Sequence, residues 1–212
     1  MQYPFLKTSN RSIDRAYRLA VATLTANILP FRDGILETEK PVIIAGLGYD
    51  TPWTRDAAIN TWNAGALVCP EVAANTLKSV IKRQDGGYII TGEYWDRIIW
   101  AIGAWQLYLC TGDKDFLTLA YEAVGNSLSF FEKTEFSEEL GLFRGPACYG
   151  DGVAAYPDIY AKPGKSGIIA FAAECRELCD DSGVGIPMYS LSTNCLYYMA
   201  YIIADKMAKE LG

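Results

Sequence analysis

The sequence predicts an all-α protein of six or seven helices. Three observations carry this reading. Apolar residues recur at helical spacing through most of the chain, good caps open those stretches, and β-type runs are few and short. Ser9 and Asn10 offer the first N-cap, and Ile13, Ala16, Tyr17, Ala20, Val21, Leu24 and Ile28 then follow one face as far as Pro30. Residues 31–52 read as irregular, with Val42 to Gly46 as one short extended segment. Thr54 is placed to cap a second helix reaching about Leu67. Pro70 suits the first turn of a third, which ends near Lys82 before Asp85-Gly86-Gly87. Tyr88-Ile89-Ile90 is at most a small strand. A fourth helix spans about Tyr94 to Cys110, Thr111-Gly112-Asp113 joins a C-cap glycine to a new N-cap, and a fifth runs to about Lys133. Residues 136–187 are rich in Gly and Pro, with a short helix expected near Ile169 to Leu178. The last helix covers Leu191 to Leu211.

Composition narrows the chemistry. Half of the 212 residues are apolar and 13% are aromatic, enough to bury a core. Lys and Arg number 19 against 25 Asp and Glu, a net charge of −6 with no basic block, which disfavours nucleic acid and anionic membranes as partners. The chain contains no histidine. Ser-His-Asp and Cys-His catalysis and His-ligated zinc are therefore excluded, and proton transfer falls to Asp, Glu, Tyr, Lys or Cys. No metal or cofactor is expected. The six cysteines form no C-x-x-C pair and read as buried free thiols, in keeping with a reducing, cytoplasmic setting. Met1 to Lys7 does not resemble a signal peptide. The longest apolar run, Ile98 to Cys110, is shorter than the roughly 20 residues a membrane span needs.

The long connections concentrate aromatics and charge. Tyr49-Asp50-Thr51-Pro52-Trp53-Thr54-Arg55-Asp56 and Gly92-Glu93-Tyr94-Trp95-Asp96-Arg97 both open a helix with Trp, Asp and Arg. Both are followed by another tryptophan, Trp62 or Trp105, together making a weak repeat of stacked helical hairpins. Side-by-side hairpins put alternate loops on one rim. Trp and Tyr supply flat platforms there, and carboxylates accept hydroxyl protons, the mixture that neutral polyols such as sugars require. Trp53, Arg55, Asp56, Glu93, Tyr94, Trp95 and Asp96 are the candidate ligand contacts. Each also has a plainer role as a helix-start charge or core aromatic. Trp62, Trp100 and Trp105 lie inside helices and read as core.

Four segments in order carry a resemblance. Ile44-Ala45-Gly46 through Trp53-Thr54-Arg55-Asp56 resembles the N-terminal signature of six-hairpin glycosidases. Tyr94-Trp95-Asp96 to Trp100, followed by Tyr108 to Phe116, resembles their second helix pair. Gly145-Pro146 to Pro157 resembles their acid-bearing loop, and Ser190 to Tyr198 the helix after it. Over about residues 40–212 the chain is similar to glycoside hydrolase family 63 and mannosylglycerate-hydrolase-like barrels. The resemblance implies an (α/α)6 toroid and inverting hydrolysis of a glycosidic bond, probed first with α-glucosides. It puts the general acid on Asp151, which is otherwise a turn residue between Gly150 and Gly152. It puts the sugar-lining pair on Arg55 and Asp56, and a further contact on Asp96. The family's general base belongs to the C-terminal half of the ring. Residues 1–212 are thus expected to form one partial domain, about half a toroid, prone to self-association along its uncovered helices. The reading from another class is a non-catalytic carbohydrate-binding or structural half-barrel. Epimerases on such a ring are expected to use histidines, which are lacking here, and a protein-binding helical repeat has no need of Trp and carboxylates gathered at loops.

Overall fold

The computed structural model describes residues 3–92, 94–145, 147–148 and 188–212, with the side chains of Tyr94 and Trp95 outside that description. Of the described residues 59% are helical and 13% extended, so the all-α expectation is corrected to a mostly helical fold with small sheets. Those sheets are three two-stranded antiparallel hairpins.

Helix α1 (Arg11–Ala26) opens where expected, the Asn10 side chain accepting from the Ser12 and Ile13 amides. It stops before Pro30. Asn27 closes it, donating through Nδ2 to Thr23 O at 2.9 Å, and Ile28–Phe31 leaves as strand β1 to pair with β2 (Lys40–Ile43). Pro30 faces Pro41 in this pair. Neither can donate to the ladder, which keeps the sheet to two strands. Helix α2 (Thr54–Asn60) passes through a π turn (Thr61–Gly65) into the short α3 (Ala66–Val68). Helix α4 (Pro70–Lys78) begins on its proline but ends four residues earlier than expected. The reason is a tight turn: Asp85 and Gly86 take φ of 51° and 83°, folding β3 (Ile81–Gln84) back on β4 (Gly87–Ile90). Helices α5 (Tyr94–Thr111) and α6 (Lys114–Thr134) follow, α6 capped by Asp113, which accepts from the Phe116 amide at 3.0 Å. A third hairpin pairs β5 (Phe136–Ser137) with β6 (Leu142–Phe143), and α7 (Leu191–Leu211) ends the chain.

The helices alternate in direction. Thr54 lies beside Gly92 and Asp96 at the start of α5, and further along a Cβ on Gly103 would fall 2.7 Å from Ala58 O, so α2 and α5 run the same way. Near their starts α5 and α7 meet through Arg97, Phe131 and Tyr197. Near their ends Tyr108 donates to Glu210 at 2.7 Å, so these two are also parallel. Helix α6 is antiparallel to both: its end carries Phe131 beside Tyr197, and its start places Lys114 Nζ 3.1 Å from Glu210. Helix α4 runs opposite to α2, with Ala73 against Gly65 at one end and Ser79 beside Thr54 at the other.

The core lies between these layers, built on fully buried Leu77, Trp100, Leu107, Leu117, Phe131 and Met207. Trp100 also donates to Leu77 O at 3.2 Å, satisfying its indole N–H inside. Trp105 packs against the core as expected, but Trp62 is half exposed. Of the cysteines described, all are free and Cys69 is buried, whereas Cys110 and Cys195 are exposed, contrary to the buried-thiol expectation. Among the described residues no helix is long and apolar enough to cross a membrane.

Candidate functional site

The shared direction of α2, α5 and α7 brings their N-termini to one end of the bundle, which forms the candidate site. The clasp between α2 and α5 is built from three residues. Trp53 takes the cap position of α2 with extended backbone and makes no side-chain cap bond. Thr54, expected as the cap, is the first helical residue; its buried hydroxyl instead donates to Thr91 O at 3.0 Å. Thr91 is anchored in turn, its amide and hydroxyl both donating to Val80 O at 2.9 and 2.8 Å. Gly92 follows with φ of 108°, and a Cβ there would sit 2.7 Å from Thr54 Oγ1 and 3.2 Å from Asp96 Cβ. Only glycine fits this approach, on both steric and dihedral grounds.

The clasp places Asp96, 5% exposed, next to the first turn of α2, where Arg55 and Asp56 are half-buried. Trp53 remains 44% exposed, its ring edge-on to Tyr49 with centroids 6.4 Å apart. Trp53, Pro52, Thr54 and Gly92 line a cleft of about 200 Å³ whose far wall carries Asp33 and Lys82. Four of the candidate residues, Trp53, Arg55, Asp56 and Asp96, therefore meet around one contact. Tyr94 and Trp95 open α5, adjoining Asp96 along the chain. Glu93 and Asp151 lie outside the described residues.

The structure adds groups the sequence reading had not singled out. Arg97 donates through Nε to Gly92 O at 2.9 Å, and its guanidinium lies 5.5 Å from the ring centroids of both Phe130 and Phe131. Burial lowers its pKa from the usual arginine value, yet a guanidinium remains charged throughout the physiological range. Beside it, burial and then the Glu135 carboxylate push the Tyr197 phenol well above its ordinary range, so it stays protonated. Glu135, fully buried, pairs with Arg144 Nε at 3.0 Å, while Arg144 also donates to Thr134 O at 2.9 Å. The only sequence signal for this pair was a Glu and an Arg flanked by Phe136, Phe143 and glycine. Asn194 brackets β6: it accepts from the Phe143 amide at 2.8 Å and donates to Phe143 O at 2.9 Å. Its role is to dock the start of α7 on that hairpin.

The arrangement offers the exposed Trp53 indole with half-buried Arg55 and Asp56 at the start of α2, beside buried Asp96 and half-buried Arg97 at the start of α5. Such a surface accepts and donates to hydroxyls while stacking an apolar ring face. Among the described residues no three Cys, Asp or Glu side chains converge as a metal site. Set against known proteins, the chain matches no protein family, no characterised protein and no solved structure.

Proposed function

We propose that the chain is part of an inverting glycoside hydrolase of the six-hairpin type, acting on α-glucoside-like substrates. In this reading the chain contributes about half of an (α/α)6 toroid. Parallel α2, α5 and α7 form the inner layer, and antiparallel α4 and α6 the outer one. The observation that carries the reading is the Thr54–Gly92–Asp96 clasp, which gathers Trp53, Arg55, Asp56 and Asp96 at one end. Trp53 stacks the sugar, Asp56 and Asp96 accept from its hydroxyls, and Arg55 donates. Glu93, Tyr94 and Trp95 extend the same rim. Asp151 protonates the leaving oxygen, which requires its pKa to rise from about 3.9. A second carboxylate, which this reading places on the C-terminal half of the ring and outside residues 1–212, activates water from the opposite face of the sugar, the two about 6.5–9.5 Å apart. Free thiols fit a reducing, cytoplasmic setting. Leu191, Tyr198 and Met199 left exposed on α7 favour self-association.

The test is turnover of a panel of aryl α-glycosides by the complete ring that this reading requires, with the anomer of the released sugar followed by NMR. The reading expects the inverted anomer first and at least a hundredfold loss in Asp151→Asn. Asp151→Asn activity within a few-fold of wild type removes the assigned acid. Saturable sugar binding with no turnover at all, lost in Trp53→Ala, replaces the hydrolase with the non-catalytic carbohydrate-binding half-barrel.

A further inference from the structure

A second concavity lies on the outer wall, between the β3–β4 hairpin and α6. It measures about 450 Å³, within the usual range for ligand sites. Two half-buried rings, Tyr88 and Phe130, contribute its apolar surface. Its polar groups are pre-set by the fold. Glu122 Oε1 accepts from the Tyr88 amide at 3.2 Å and Asn126 Nδ2 donates to Tyr88 O at 2.8 Å, which fixes both side chains. Glu122 Oε2 and Asn126 Oδ1 are left as acceptors. Ser129 and Lys133 continue the same face of α6 and add donors. Asp85 and Glu122 outweigh Lys133 among the lining groups, so the groove disfavours an anionic ligand and its amide, hydroxyl and carboxylate acceptors suit a hydroxyl-rich neutral one. The outer edge of β4 is already occupied, Ile90 N donating to Ser127 Oγ at 3.1 Å beside the two bonds above. That blocks an extended peptide from adding as a strand.

We propose that this groove binds a neutral oligosaccharide chain and extends the rim site down the outer wall. This rests on the carbohydrate reading above and deepens it, making the substrate a chain rather than a single glycoside. Continuity comes from Phe130, which lines the groove while carrying Arg97 of the rim 5.5 Å from its centroid. Rings as platforms and fixed acceptors with mobile donors are the means by which proteins hold sugar chains without charge. Ordering Glu122 and Asn126 in advance lowers the entropy lost on binding.

The test is affinity electrophoresis of the whole chain through gels containing soluble starch, dextran or galactomannan, with denatured casein as a peptide control. The proposal expects retardation in at least one polysaccharide gel. It expects at least a tenfold weaker affinity in Tyr88→Ala and at least threefold in Lys133→Ala, an exposed position that does not endanger folding. Absence of retardation in every polysaccharide gel overturns it, as does equal retardation of both variants. Retardation by casein alone, lost in those variants, assigns the groove to peptides and also overturns it. The rim reading is scored separately, on aryl α-glucosides too short to reach the groove. Turnover without polysaccharide retardation refutes the groove alone, and retardation without turnover refutes the hydrolase alone.

Discussion

The two ends of the bundle are held together by different physics. At the N-terminal ends of α2, α5 and α7 the contacts are largely shielded from water: Thr54 to Thr91 O, Gly92 against Thr54, and the buried ion pair of Glu135 with Arg144. At the far end α5, α6 and α7 pack through buried Leu107, Leu117 and Met207, and their polar contacts run through the exposed groups Lys114 and Glu210. Water screens the second set and competes with it, whereas the first set has nowhere else to turn. The candidate site therefore lies at the end whose polar contacts are shielded from water.

Substitutions at each end break or sharpen this contrast. The largest effect is expected from Glu135→Ala, which removes the carboxylate from a buried ion pair with Arg144 and costs about 3–5 kcal/mol in chemical denaturation. Gly92→Ala comes next. It forces an alanine into positive φ against Thr54, costs about 1–3 kcal/mol, and spreads the α2–α5 clasp, so sugar binding at the rim falls with stability. Thr54→Val keeps the shape, removes one hydrogen bond, and lowers stability by about 1 kcal/mol. At the far end Lys114→Ala lowers the denaturation midpoint least of the four, because water screens the exposed pair. The Tyr108 hydroxyl and then Lys114 hold the Glu210 carboxyl below the usual range. Its stabilising share is present above the ordinary glutamate pKa of about 4.3 and is lost as pH falls through the lower folded value. NMR titration of the Glu210 carboxyl shows that midpoint, and Lys114→Ala moves it upward. A denaturation loss in Lys114→Ala equal to that in Glu135→Ala would erase the distinction between the ends.

Helix starts were legible wherever a side chain caps them or a proline opens them, as at Asn10, Pro70 and Asp113. Helix ends were less so. Val80 and Ile81 continue the apolar period of α4, so periodicity alone carried that helix to Lys82. The turn at Asp85 and Gly86 instead rewards a hairpin whose outer edge α6 satisfies, a tertiary gain that a linear reading does not contain. The same holds at the site. The tryptophans and acids of the two loops were visible as a repeated pattern, and the prediction that they share a rim rested on hairpin stacking. What joins them is Thr54 to Thr91 and the room left by Gly92, residues with no chemical signature of their own. Trp62 was taken for core because it lies within a helix, yet the π turn that begins at Thr61 accompanies an outward ring.

The touching point of Gly103 and Ala58 sets how far apart the starts of α2 and α5 stand. There main chain meets main chain, with no side chain to compress or rotate. It works as a fulcrum several residues below the rim: a methyl group inserted there would tilt α5 away from α2 and widen the mouth without altering any residue that faces a ligand. Ligand preference in this fold is thus open to adjustment from a position that never meets the ligand.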